Sequence, residues 1–95
     1  MSSKNTQQPR MRRRAGLGSE QVDDSLLILD KQNEQVHRLN STASVIWELL
    51  DENDPTQIAQ RIVDSFDVTY EVASRDVQQV ISELQVLNLL EICEQ

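Results

Sequence analysis

The chain has 95 residues, fewer than the ~100–150 of a typical domain, which leaves room for one small domain and excludes a two-domain enzyme. Apolar residues make up 38% of it, below the usual ~45–50%, with one Trp, one Tyr and one Phe, so the core must be small and mostly aliphatic. Sixteen acids against nine bases give −7, unevenly placed: Lys4, Arg10, Arg12, Arg13 and Arg14 precede residue 15 with no acid among them, which leaves four bases against sixteen acids, or −12, in residues 15–95.

Residues 1–18 hold Pro9, two glycines and little to bury, so nothing offsets the entropy of ordering them. They read as a disordered basic arm, a solubilising tail ahead of a domain at residues 19–95. Leu26-Leu27-Ile28-Leu29 is a short apolar run between Asp24 and Asp30, and Lys31-Gln32-Asn33-Glu34 makes a hairpin connection to a second strand. In that strand, Gln35 to Leu39, the period of two puts Val36 and Arg38 on one side and His37 and Leu39 on the other. Each side mixes one apolar with one polar residue, the pattern of an outer strand. Glu20 to Asp23, with Val22, is a weaker first strand. Two or three antiparallel strands are too few to stand without helices on one face.

The rest is helical. Asn40 or Ser41 caps a helix whose stripe is Ala43, Ile46, Trp47 and Leu50, which makes Trp47 a core residue. Asp54-Pro55-Thr56-Gln57 has the form of a capping box with Pro at the first helical position, and Ile58, Ile62 and Phe66 follow at helical spacing. Thr69 caps a third helix with the stripe Val77, Val80, Ile81, Leu84 and Leu87. Leu89 to Cys93 is a short extended tail that packs back on the core. Strands come before helices along the chain, so the expected class is α+β rather than a parallel βαβ sheet.

The residues that chemistry requires are scarce. His37 is the only histidine, which leaves no His-paired nucleophile and no two-His metal site in one chain. Gly16 and Gly18 lie in the polar arm with no helix after them, so there is no phosphate-cradling loop. Cys93 is the only cysteine; it reads as a small packing residue, forms no internal disulfide and suits a reducing compartment. Acid pairs such as Asp23/Asp24 and Asp51/Glu52 read as solvated faces. Asp24-Ser25-Leu26 resembles the triplet that carries phosphopantetheine in acyl carrier proteins, but there a long amphipathic helix precedes the serine, and here a basic arm precedes it and a strand follows. No apolar run of about 7–15 residues follows the basic start and none approaches about 18. These readings together predict a cytoplasmic, non-enzymatic protein with no catalytic residue, no metal, no cofactor and no membrane contact, and the acidic body makes nucleic acid an unexpected partner.

From Leu39 onward the chain follows an ordered set of motifs: Leu39-Asn40, Ala43, Ile46-Trp47, Leu49-Leu50, Thr56, Ile58-Ala59, Phe66-Asp67-Val68, Asp76-Val77, Leu84 and Leu89-Leu90-Glu91. This set resembles the PqqD family over about residues 20–93. The chain departs from the family pattern in having Asn88 where a glycine often precedes the last leucines, and no glycine soon after Leu50. The resemblance implies a winged-helix-like, peptide-recognition domain of ribosomally made and modified peptides: a small N-terminal antiparallel sheet of two or three strands followed by three helices. Such a domain captures the leader segment of a precursor peptide as an added strand and presents it to a modifying enzyme such as a radical SAM protein, a peptidase or a cyclase.

Carried onto this sequence, the receiving strand is Gln35, Val36, His37, Arg38 and Leu39, and the facing helix spans residues 70–88. On that helix one flank is Ser74, Gln78, Ile81 and Gln85, the other Asp76, Val80 and Glu83; the first is favoured because Gln78 and Ile81 would offer an apolar floor with a hydrogen-bonding edge. An outer strand has unpaired N–H and C=O groups that an extended peptide can satisfy, which supports the same reading on physical grounds. The same edge could pair with its own copy, so a monomer or weak dimer is expected. Two competing readings are a DNA-binding winged helix, which needs a basic third helix where this one has Arg75 against Glu71, Asp76 and Glu83, and a protein scaffold without leader binding.

Overall fold

The computed structural model describes residues 10–93, in the order β1 (Arg10–Arg13), β2 (Gly18–Val22), β3 (Ser25–Asp30), β4 (Gln35–Leu39), α1 (Ser41–Leu49), α2 (Pro55–Ser65), α3 (Tyr70–Val86) and β5 (Leu90–Cys93). The strands form two antiparallel sheets, β2-β3-β4 and β1-β5. The fold is therefore α+β, with an N-terminal antiparallel sheet followed by three helices, as the sequence predicts.

Each element begins where local chemistry sets it. Asp23 takes the left-handed conformation (φ 55°) in the two-residue turn that joins β2 to β3, and Glu34 does so (φ 57°) at the end of the β3–β4 turn. Asp tolerates that region because its short side chain bonds locally. Asn40 caps α1 by accepting from the Ala43 N–H at 2.9 Å. At α2 the capping box is reciprocal: the Gln57 N–H donates to Asp54 Oδ1 at 2.8 Å, and the Asp54 N–H donates to Gln57 Oε1 at 2.9 Å. Thr69 caps α3 in the same way through the Val72 N–H.

The end of α3 explains why Asn88 can stand where the family often has glycine. Asn88 is left-handed (φ 62°), its N–H donates to the Gln85 carbonyl, and the Leu89 N–H reaches back to the Leu84 carbonyl at 2.9 Å. This is a Schellman closure, in which Asn is the common substitute for Gly, and its paired apolar residues, Leu84 and Leu89, are both buried.

The core lies between the inner face of the three-stranded sheet and the helices. Burial alternates along β3, with Leu26, Ile28 and Asp30 inward, opposite Leu39, His37 and Gln35 of β4. Ile46, Trp47 and Leu50 of α1, Ile58 and Ile62 of α2, and Val77 and Leu84 of α3 close over them. Trp47 is a core residue, as expected.

The expectation of a disordered arm over residues 1–18 is corrected from Arg10 onward; residues 1–9 lie outside those described. Arg10–Arg13 pairs with β5 residue by residue, Arg10 with Cys93 through Arg13 with Leu90, and half-buried Met11 packs on the core. The arginines are a set of ties rather than a solubilising tail. Arg12 pairs with Glu91 across the strands, exposed on both sides and so of little energetic weight. Arg13 grips Asp51 at the end of α1 with its N–H at 2.9 Å and its Nη2 at 3.0 Å, and its guanidinium lies over the Trp47 ring, 5.7 Å from the centroid. Arg14 donates from Nη2 to Asp30 Oδ2 at 2.6 Å and from Nε to the Asn88 carbonyl at 2.7 Å.

Both acids are held below their ordinary value of 3.8. The Asn33 side-chain amide lowers Asp30 most, burial opposes it, and the Asn33 N–H and Arg14 add to the lowering. Burial pushes Asp51 up, but the N–H, side-chain bonds and charge of Arg13 outweigh it. A carboxyl with a depressed folded pKa contributes stability that is full above its unfolded pKa of about 4 and is lost as pH falls through the folded value. Urea midpoints should therefore hold from pH 7 to about 5 and fall steeply below about pH 4. The Asp30→Asn/Asp51→Asn double variant should show a flatter acid limb, and an unchanged slope would contradict the pairing. Separately, Asp54→Ala should cost about 1 kcal/mol in urea unfolding through loss of the α2 cap.

Candidate functional site: an open strand edge and the α3 surface

β4 is an edge of its sheet, with β3 on one side and, among the described residues, no strand on the other. Its residues divide as the period of two requires: Leu39 is buried and His37 half-buried on the inner face, while Val36, 61% exposed, and Arg38 lie on the outer face. Gln35 is exposed at the start of the strand. Arg38 is steadied by its own sheet, Nε donating to Ser25 Oγ at 3.1 Å. Inner-face burial fixes the register of β4, because a slip of one residue would turn Leu39 out and Arg38 in. The free edge is thus held in one position with its backbone groups facing outward.

His37 is the polar member of the inner face. Its Nε2 is buried and has no hydrogen-bond partner among the described residues.

α3 carries the second half of the expected site. Ala73, Val77, Ile81 and Leu84 form its buried stripe. Ile81, 8% exposed, is buried in the stripe where its spacing puts it, so what it offers a peptide is the edge of an apolar floor beside Gln78. Ser74 is half-buried, and Gln78 and Gln85 are exposed on the flank favoured from the sequence. Asp76 and Val80, on the other flank, are half-buried and Glu83 is exposed.

Ser74 and Gln78 come together in a shallow surface depression whose other lining residues are Tyr70, Glu71 and Arg75. Sequence reasoning missed those three. The available signal was spacing: Tyr70 stands one turn before Ser74 on the same helix face, and in the structure the residue is 43% exposed. β4 packs on β3 and α1, whereas α3 packs mainly on α2, with smaller contacts to α1 and β5. α1 touches both β4 and α3 and is their common support.

Among the described residues no group of three or more His, Cys, Asp or Glu is placed to hold a metal ion. No helix among them is long and apolar enough to cross a membrane. In the N-terminal basic cluster, Arg12, Arg13 and Arg14 are engaged with Glu91, Asp51 and Asp30 respectively.

Two solved structures share this architecture. The chain is similar to TbiB1 in complex with the TbiA(beta) leader peptide, with 27% identity and a TM-score of 0.76 over 84% of this chain and 94% of that one. It is similar also to a lasso peptide synthetase B1 complexed with the leader peptide, with 26% identity and a TM-score of 0.76 over 86% of this chain and 98% of that one. No curated protein sequence matches the chain. The family model described as coenzyme PQQ synthesis protein D (PqqD) matches residues 25–90, from the first residue of β3 to the first of β5. With its three helices and open strand edge inside that match, the chain belongs to the PqqD family.

Proposed function

We propose that this protein captures the leader segment of a ribosomally made precursor peptide as an added strand on β4, and presents it to a separate modifying enzyme. The observation that carries the reading is the unpaired edge of β4 in a fold whose solved relatives hold leader peptides. Five residues of edge span roughly 17 Å, enough for an extended peptide to make several main-chain hydrogen bonds. Side chains that alternate along the bound leader then fall into two environments. Those on the outer face pass Val36 and Arg38; those on the inner face pass His37 and Leu39 and turn toward α3, where Ser74, Gln78 and Gln85 offer polar contacts. His37 Nε2 is the buried group that a polar leader side chain completes.

The protein's part in the reaction is recognition rather than bond making: the leader is ordered on a rigid edge, which lowers the entropic cost to the enzyme that acts on the remainder of the precursor. Charge weighs against the DNA-binding alternative, since α3 carries Arg75 against Glu71, Asp76 and Glu83.

Main-chain recognition has a periodic signature. In fluorescence anisotropy with the leader of the precursor encoded beside this gene, N-methylation of successive leader residues should weaken binding at alternate positions. Each lost hydrogen bond of about 0.5–1.5 kcal/mol corresponds to a ~2–12-fold rise in Kd. Val36→Ala and Arg38→Ala should cost less than the sensitive N-methyl groups. Uniform tolerance of N-methylation would exclude strand addition.

A further inference from the structure

One guanidinium joins the end of β3, where the hairpin into β4 begins, to the residue that closes α3, the helix toward which the inner-face side chains of the bound leader are proposed to turn. Arg14 donates from Nη2 to Asp30 Oδ2 at 2.6 Å, and from Nε to the Asn88 carbonyl at 2.7 Å. Asp30 is the last residue of β3, directly opposite Gln35, the first residue of β4. The same carboxylate accepts from the Asn33 N–H at 3.2 Å and from the Asn33 side chain at 2.8 Å, so it also shapes the turn that delivers the chain into β4. Asn88 is the left-handed residue that closes α3. The Arg14 N–H donates to the Leu89 carbonyl at 2.9 Å and holds the arginine's own backbone beside that closure.

The surroundings make this tie stiff. Asp30 is 3% exposed and the Arg14 side chain 15%, so water competes little for either group. A guanidinium presents its donors in a rigid plane, which fixes the distance between the two groups it bridges, as a flexible ammonium does not. Arg12 and Arg13, the neighbouring arginines, make pairs of another kind: Arg12 with the adjacent strand and Arg13 with the end of α1. Arg14 precedes residue 25, where the family match begins, so the tie comes from the flanking segment and acts on the family domain from outside.

We propose that Arg14 is a positioning residue that sets the spacing between the β3–β4 hairpin and the end of α3, and thereby holds the leader site at its binding width. The inference rests on the strand-addition reading above. Without the tie the two walls sample a range of spacings, and the apparent Kd rises by the inverse of the competent fraction; if one molecule in ten keeps the right spacing, affinity falls ~10-fold.

The test uses the full chain with Cys93→Ser, and nitroxide labels on Gln32→Cys in the β3–β4 turn and Ser82→Cys on α3, both exposed positions. Electron–electron distance distributions are recorded beside anisotropy titrations with the leader of the precursor encoded beside this gene. Arg14→Gln should broaden the distribution and raise Kd ~10-fold, and saturating leader should narrow the distribution again. Arg14→Lys, which keeps the charge opposite Asp30 and lacks the planar fork, should be intermediate in both, and it serves if Arg14→Gln does not fold. Arg13→Gln should lower the melting temperature while both readouts stay at wild-type values, which separates positioning from general loss of stability. Wild-type width and wild-type Kd in the Arg14 variants would overturn the proposal. Failure of the wild-type chain to bind leader would instead overturn the strand-addition reading, and the distance distributions would then decide the tie alone.

Discussion

A strand that buries alternate side chains on a core while one of its backbone edges has no neighbour is the constraint on which this molecule depends. Burial of Leu39 opposite Leu26, with half-buried His37 opposite Ile28, holds β4 in register, and on the proposed reading a guest strand takes the backbone groups of its open edge. An edge of this kind is ordinarily a hazard, because any extended chain can pair with it. Here it is short, and charged or polar residues flank its apolar positions, which limits indiscriminate pairing. On the proposed reading, specificity comes from what lies beside the edge: the buried His37 nitrogen and the polar flank of α3.

The small size of the domain makes its N-terminal strand important. Three helices and three strands bury an aliphatic core with little aromatic mass, and the β1-β5 ribbon adds a second layer of constraint through charge. The acidic body and the basic start of the chain, which look like separate features in the composition, are one arrangement. Each of Arg12, Arg13 and Arg14 meets an acid from a different part of the body: Glu91 in β5, Asp51 after α1 and Asp30 in β3. A strand with one apolar residue is thereby ordered by contacts that the strand itself does not encode.

That difference explains what is legible in the sequence. The hairpin, the Asn40, Asp54 and Thr69 caps and the three amphipathic stripes are local signals, carried by residues within a few positions of one another, and each stands where the spacing puts it save Leu87, expected in the α3 stripe, which caps the end of the helix and is 40% exposed. The order of the strand Arg10–Arg13 is invisible to the same reasoning because its side-chain partners Asp51 and Glu91 lie 38 and 79 residues away. For the site, β4 is readable from its period of two, and its edge position follows once only β3 is available to pair with it. Which flank of α3 faces that edge is not, because helical spacing places residues on a face without saying what packs against it. Tyr70 shows the converse: it stands four and eight residues before Ser74 and Gln78 on one helix face, a local signal that the flank as read did not include.

Amide hydrogen exchange along β4, with and without leader peptide, reaches the central claim most directly. Strand addition predicts that every second N–H between Gln35 and Leu39, the ones that point away from β3, exchanges freely in the unbound protein and becomes protected at saturation, while the alternate set changes little. A leader that binds tightly and leaves those outward amides exchanging at their free rate would show that recognition lies elsewhere on the molecule.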